Sequence, residues 1–433
     1  MTESNSSPEL HSIIEGTVES IAFGGEGVMR HGNFVVFIPF TAPGDRITCR
    51  IVEKKSSYAK GSLQTILQAS KERIEPLCPY FGKCGGCQLQ HLNPSAQNNY
   101  KVDAVVGALT RIAKMEIPAY SFIPANLNWA YRRHITLHLK ITAVGFMAGY
   151  IGIDGSALVA IKQCPIFEDI QNSPLPLIQD FLSKIPHEGC SEGKLILLKN
   201  NLGLFILNFI FDSHLSFQPF KLFFEENPTI AGLIIQTPQE RHVMGDINCE
   251  LDVEGLKFHY TPETFIQNHP EQSQNIYKKI DELFKGDSKT ILDLYCGFGV
   301  SSLLLAKRGH RVIGIELNPK AIQLANHNAQ LNHLKTCSFY AGDVERILPR
   351  KFAHLKPQAV LLNPPRVGLS NGVIDHIVDY AAEELVYVSC MPATLARDLK
   401  RFAQAGYKIK ELFIYDMFPQ TAHVETLVYI RRS

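Results

Sequence analysis

The chain has 433 residues, 45% of them apolar, and a formal net charge of +1. That length exceeds what one hydrophobic core serves and predicts two or three domains, while near-neutrality excludes a globally basic nucleic-acid binder and leaves any such partner to a local patch. No run of about 18 uncharged apolar residues occurs and residues 1–9 lack the basic and apolar regions of a secretory leader, so the expectation is a cytoplasmic monomer without a membrane span.

After the polar tail at 1–9, residues 12–69 carry short β-branched runs (Ile13-Ile14, Phe34-Val35-Val36-Phe37-Ile38, Ile51-Val52) separated by Gly24-Gly25 and Pro43-Gly44-Asp45. This is the pattern of a small all-β barrel. The turn and the following Arg46, Arg50, Lys54 and Lys55 resemble the TRAM domain, an OB-like module that grips RNA. Next come Cys78, Cys84 and Cys87 on a glycine-rich loop, with Cys164 far downstream. In a reducing compartment cysteines are ligands, nucleophiles or buried thiols rather than disulfides. Three this close supply most of a four-cysteine metal centre, and spacing leaves zinc and [4Fe-4S] both open. Cys49, Cys190, Cys249, Cys296 and Cys337 stand singly and are read as packing residues.

Residues 95–115 place Val102, Val105, Val106, Leu109 and Ile112 at helical spacing behind Pro94-Ser95. Strand-like runs at 134–141, 145–151, 157–161, 195–198, 204–211 and 231–235, with one helix at 175–183, then predict an α+β region. Tyr131-Arg132-Arg133-His134 heads its first strand, an aromatic and basic mix suited to stacking on bases and pairing with phosphates. From 270 the pattern alternates strictly. Helices at 270–284, 301–308, 319–331, 372–382 and 393–405 separate strands at 290–294, 311–316, 337–341, 359–362 and 385–388, with closing strands near 408–415 and 425–430. Such alternation predicts a parallel sheet covered by helices on both faces.

Asp293-Leu-Tyr295-Cys-Gly297-Phe-Gly299 lies between a strand and a helix, and Glu316 ends the next strand, where a carboxylate can take two ribose hydroxyls. Ser302 replaces the third glycine of a dinucleotide fingerprint. The remaining form resembles motif I of the S-adenosylmethionine-dependent methyltransferases, with Gly342-Asp343 suited to an adenine edge. Asn363-Pro364-Pro365-Arg366 and Tyr387-Val-Ser-Cys390-Met-Pro392 end successive strands, and His423-Val-Glu425 starts the last one.

Taken together, Cys78, Cys84, Cys87 and Cys164, Phe265-Ile-Gln267-Asn268, the motif I loop, Asn363-Pro-Pro-Arg366, Ser389-Cys390 and His423-Val-Glu425 look like the RNA uracil-C5 methyltransferases. The closer likeness is to the ribosomal branch that makes 5-methyluridine in large-subunit (23S) rRNA and carries a TRAM domain and an iron-sulfur cluster. The resemblance implies a multidomain fold. It has an OB-like β-barrel (TRAM) at 10–70, an α+β central domain at 71–94 and 126–256 with the four cysteines on [4Fe-4S], and a Rossmann-like α/β methyltransferase domain at 95–125 and 257–433. By the same likeness Gln267, Tyr295, Gly297, Glu316, Asp343 and Asn363 contact S-adenosylmethionine and large-subunit rRNA is the partner, and Arg132, Arg133 and Arg366 are the residues expected to meet that RNA. Cys390 is the nucleophile that adds to uracil C6 and makes C5 reactive. Glu425 is the base that removes the C5 proton after methyl transfer, its carboxyl raised by burial into a useful range. Asn363 stands where the family has Asp, Met391 where it has Asn, and Val300 where Asn is common. These departures leave a catalytically impaired RNA-binding or remodelling protein, and a tRNA-directed uracil-C5 methyltransferase, as alternatives.

Overall fold

The computed structural model describes residues 7–143, 145–167, 173–186 and 189–432; of the expected polar tail, 1–6 lie outside them. The chain divides into two compact units, one of Met1–Ala104, Tyr150–Ile161 and Phe418–His423, the other of Val105–Gly149, Lys162–Met417 and Val424–Ser433.

In the first unit, β1 (Ile13–Ile21), β2 (Gly27–His31), β3 (Phe34–Ile38), β4 (Arg46–Lys54) and β5 (Tyr58–Gln68) close into a barrel in the order β1-β2-β3-β5-β4. Strand alternation turns Val18, Met29, Val36, Ile38, Ile47, Cys49 and Ile51 into its core. Asp45, wholly buried, anchors the Pro43-Gly44 turn by accepting from the Ala42 and Ser70 amides (2.6 and 2.8 Å) and from Arg73 Nε (2.8 Å). Burial pushes its carboxyl up, yet these donors outweigh burial and hold it below the usual range. Several basic residues of the barrel are already paired on its surface: Arg46 with Glu15, and Lys55 and Lys60 with Glu53.

Helix α1 (Pro94–Ala108) is shorter than the expected 95–115. It passes into a π turn at Leu109–Ala113 and stops at Lys114, whose backbone is left-handed (φ 54°). Gly107 weakens the last turn, and Ile112 of the expected apolar stripe is exposed. The first half of α1 grips the segment Phe418–His423. Gln97 and Gln420 exchange bonds of 3.1 and 2.9 Å, and the buried Lys101 ammonium donates to the Phe418 carbonyl at 3.0 Å.

Next follow β6 (Tyr120–Ile123), β7 (His134–Thr142), β8 (Gly145–Ile151), β9 (Leu158–Ala160), α2 (Leu175–Lys184), β10 (Glu192–Lys199), β11 (Phe205–Phe211), α3 (Gln218–Glu226), β12 (Ile230–Gln236), β13 (Arg241–Gly245), β14 (Cys249–Val253) and β15 (Leu256–Tyr260). Strands β13-β12-β11-β10-β7-β8 lie side by side. Helices α2 and α3 bring an aromatic layer to this sheet, with Phe181 stacked on Phe223 (4.1 Å) and Phe220 edge-on to Phe209 (5.3 Å). The sequence pattern missed α3 and β13 to β15.

The remaining elements are α4 (Pro270–Leu283), β16 (Thr290–Leu294), α5 (Val300–Lys307), β17 (Arg311–Glu316), α6 (Pro319–Leu331), β18 (Cys337–Ala341), α7 (Val344–Lys351), β19 (Ala359–Leu362), α8 (Asn371–Tyr380), β20 (Glu384–Ser389), α9 (Pro392–Gln404), β21 (Tyr407–Tyr415) and β22 (Glu425–Arg432). Among the described residues they build a sheet in the order β18-β17-β16-β19-β20-β22-β21-β6. Strands β18 through β20 are mutually parallel, but the expected parallel sheet does not extend to its far side. There β22 enters between β20 and β21 and runs antiparallel to both. Strand order reverses between β16 and β19, and open α/β sheets bind ligands beyond the strand ends at such a reversal.

Candidate active site

At that reversal the loop after β16 is held by neighbouring backbone. Tyr295 and Cys296 amides donate to the Ile315 carbonyl (2.8 and 3.2 Å), and the Asn363 amide donates to the Leu294 carbonyl (3.3 Å). Tyr295 adopts φ 64°, a conformation that bulky L residues rarely take. Its phenol is pushed up to about 12 by burial first and then by Asp343, Glu345 and other nearby carboxylates. Glu316 receives the Gly297 amide on one oxygen (3.2 Å) and the Asn318 amide on the other (2.9 Å), so its carboxylate is fixed with lone pairs to spare. A side chain added at Gly297 would meet only open space. An oriented carboxylate with free lone pairs beside the open space at Gly297 fits the ribose end of S-adenosylmethionine.

Ser302 sits in place of the third glycine for a reason the sequence did not disclose. Its hydroxyl donates to Asp293 Oδ2 at 2.6 Å, inside the core. Burial pushes the Asp293 carboxyl up to about 7, with Ser302 pulling it back and Glu316 adding to the rise. Val300, the first residue of α5, belongs to the apolar cluster with Phe258, Phe298 and Leu304. Asp343 caps α7 by accepting from the Arg346 amide (3.1 Å), which occupies one of its oxygens.

Gln267 is buried in the segment leading to α4. The preceding loop is stapled to the start of α6 by residues that sequence reasoning passed over. Asn318 Nδ2 donates to the Glu263 carbonyl (3.1 Å), while the Glu263 carboxylate pairs with Arg241 (2.9 Å) and Lys320. Tyr131, expected to stack on bases, is instead 2% exposed and stacks on His269 (centroids 4.9 Å apart). Arg133 bonds through its side chain to the buried Tyr260 phenol. His134 is held well below the usual imidazole range, near 4, by burial first and then by Arg132.

Strand register brings the two expected catalytic residues side by side. Ser389 on β20 opposes Thr426 on β22 in an antiparallel ladder, so the next pair outward is Cys390 and Glu425. The thiol is half-buried and the carboxyl is 3% exposed. Burial, and secondarily Glu425, push Cys390 up to about 11, whereas the Arg366 guanidinium, hydrogen-bonded to the sulfur, pulls it down. Burial pushes Glu425 up to about 8 against the same arginine. Arg366 is thus a direct partner of the thiol. Met391 donates its amide to Ser389 Oγ (3.2 Å) and stands at the N-cap of α9, where its side chain makes no capping bond and an Asn would supply one.

The expected four-cysteine centre draws on both units. Cys78, Cys84 and Cys87 belong to the first unit and Cys164 to the second, and among the described residues no three Cys, His, Asp or Glu side chains gather as a metal site. No helix among the described residues is long and apolar enough to cross a membrane.

Residues 234–433 match the family described as tRNA (Uracil-5-)-methyltransferase, and 12–63 match the TRAM domain. The chain is 48% identical to an uncharacterized RNA methyltransferase of Protochlamydia amoebophila, over 98% of both chains. It is 32% identical to the 23S rRNA (uracil(1939)-C(5))-methyltransferase RlmD of Cronobacter sakazakii, over 97% of this chain and 96% of that one. In fold it is similar to the Pyrococcus abyssi tRNA (uracil-54, C5)-methyltransferase solved with S-adenosyl-L-homocysteine. The TM-score is 0.74 at 23% identity, covering 96% of this chain and 100% of the other.

Proposed function

Since the chain belongs to the S-adenosylmethionine-dependent RNA uracil-C5 methyltransferases, we propose that it forms 5-methyluridine in large-subunit (23S) rRNA with Cys390 as nucleophile and Glu425 as base. The observation that carries the chemistry is the Cys390 and Glu425 pair, set side by side by the β20 and β22 register. The full-length likeness to the Cronobacter enzyme supports the rRNA target.

Uracil C5 is a weak nucleophile. Addition of the Cys390 sulfur to C6 turns the ring into an enolate whose C5 is reactive, and thiolate leaves again readily. S-adenosylmethionine supplies the electrophilic methyl group; Gln267, Tyr295, Gly297, Glu316, Asp343 and Asn363 hold it. Arg366 stabilises the thiolate, and Glu425 takes the C5 proton so that sulfur can be eliminated. Asn363 in place of Asp removes a negative charge and one acceptor oxygen, keeps the other as an acceptor and adds an NH2 donor. The target base must be unstacked to reach the thiol, which gives the TRAM barrel and the central domain the work of holding the opened strand, with Arg132 and Arg133 at the latter's first strand.

The domain division at 10–70, 71–94 with 126–256, and 95–125 with 257–433 is part of this reading. So is a [4Fe-4S] cluster on Cys78, Cys84, Cys87 and Cys164, for which spacing offers the ligands and the likeness to the ribosomal branch favours iron-sulfur over zinc. Nucleoside mass spectrometry of rRNA and tRNA from a strain lacking the gene tests the target. Loss of one 5-methyluridine from 23S rRNA is expected, and loss from tRNA alone would overturn the rRNA assignment while leaving the chemistry in place.

A further inference from the structure

The segment that follows Asn363 is gripped by one face of α9. Thr394, Arg397 and Asp398 recur at spacings of three and four and so share that face. Thr394 Oγ1 lies 3.1 Å from the carbonyl oxygens of both Arg366 and Met391. One hydroxyl thus joins the loop that carries the guanidinium to the loop that carries the thiol. Arg397 Nη2 donates to the carbonyls of Val367 (2.9 Å) and Leu369 (3.1 Å). Asp398, 1% exposed, accepts from the Leu369 amide (2.8 Å), the Tyr387 hydroxyl (2.7 Å) and Arg397 Nε (2.8 Å).

Gly368 shows how closely the two elements are matched. It adopts φ 74°, and a Cβ there would lie 2.6 Å from Asp398 Oδ2 and 2.7 Å from the Arg397 guanidinium. None of these side chains takes part in the addition, the methyl transfer or the proton removal. What they share is the segment from Arg366 to Leu369. The Arg366 side chain is exposed and has many rotamers to lose, so its place on the sulfur depends on a fixed starting point in the backbone.

We propose that Thr394, Arg397 and Asp398 are positioning residues for uracil methylation, fixing the Arg366 backbone so that its guanidinium rests on the Cys390 thiol. The proposal builds on the reading of Cys390 as nucleophile. Two charged groups act on that sulfur, Glu425 from β22 and Arg366 from the loop after β19. Releasing the loop leaves Glu425 as the dominant neighbour and lowers the thiolate fraction at a given pH.

The test is the pH profile of Cys390 alkylation by iodoacetamide, read by peptide mass spectrometry on the full chain without RNA, together with kcat for RNA methylation. Thr394→Val is expected to move the alkylation midpoint upward by about one pH unit, a roughly tenfold loss of thiolate. It should lower kcat by a similar factor, with S-adenosylmethionine affinity unchanged, and Thr394→Ser should restore both. In an Arg366→Ala background Thr394→Val should add nothing further, because both remove the same contact. A wild-type profile in Thr394→Val, or effects that multiply with Arg366→Ala, overturns the proposal. Should Thr394→Val lose cofactor affinity, Arg397→Gln at a half-exposed side chain reads the same quantities. Full activity in Cys390→Ala would sink the nucleophile reading, while the alkylation profile would still report on the tie between α9 and Arg366.

Discussion

Cys390 and Glu425 are each placed where their charged forms are disfavoured, and each has Arg366 as a counterweight. In the resting protein at neutral pH the sulfur is a thiol and the carboxyl largely holds its proton. Activity is therefore expected to rise with pH from 7 towards 9, as the carboxylate and then the thiolate form. Stability moves the other way. Between its ordinary value of 4.5 and about 8, the unfolded chain has released the Glu425 proton while the folded chain retains it, so stability falls as pH rises across that window. The slope from this group is at most about 1.4 kcal/mol per pH unit. Thermal melts of Glu425→Gln against wild type should show an advantage for the variant that grows from pH 5 to 8, and parallel curves would contradict the assigned burial. The sulfur and the carboxyl were both legible in the sequence as a thiol and an acid at strand ends. Arg366 was legible only as a basic residue, because its contact with the thiol depends on which loops the sheet order brings together.

At the scale of elements, the cofactor loop illustrates why some features could be read and others not. Strand, glycine turn, helix and a later acid are local signals, and β16, the loop and Glu316 stand where those signals put them. Ser302 looked like a lost glycine, since its hydroxyl meets Asp293 only after α5 folds back onto β16. Ser302→Ala leaves a buried carboxyl without its donor and should cost roughly 1–3 kcal/mol in denaturant unfolding, with weaker S-adenosylmethionine binding. A variant as stable as wild type would show that Asp293 finds another partner. Helix α7 escaped notice because its charged sequence includes Pro349 and only Val344 and Leu348 are buried, and β13 because Arg-His-Val-Met-Gly has no strand pattern of its own. Tyr131 was misjudged for the opposite reason: an aromatic beside arginines suggests a base-stacking surface, but its ring is consumed by His269.

For the whole molecule, alternation foretold a parallel sheet but not the reversed β22, whose direction follows from the chain returning between β20 and β21. That reversal matters, since the antiparallel register is what places Glu425 beside Cys390. The cysteine quartet is the long-range feature least determined by local pattern. Iron and acid-labile sulfide in protein purified without oxygen should reach about four atoms of each per chain if the [4Fe-4S] reading holds, and zinc or no metal would replace it. The central claim, covalent catalysis by Cys390 with Glu425 as base, is tested most directly by incubating Glu425→Gln with 23S rRNA transcript and S-adenosylmethionine and resolving the products under denaturing conditions. The account predicts a protein–RNA adduct that peptide mapping places on Cys390 and that carries a methylated uridine, because without the base the sulfur cannot be eliminated. No adduct, or release of free 5-methyluridine at the wild-type rate, would contradict it.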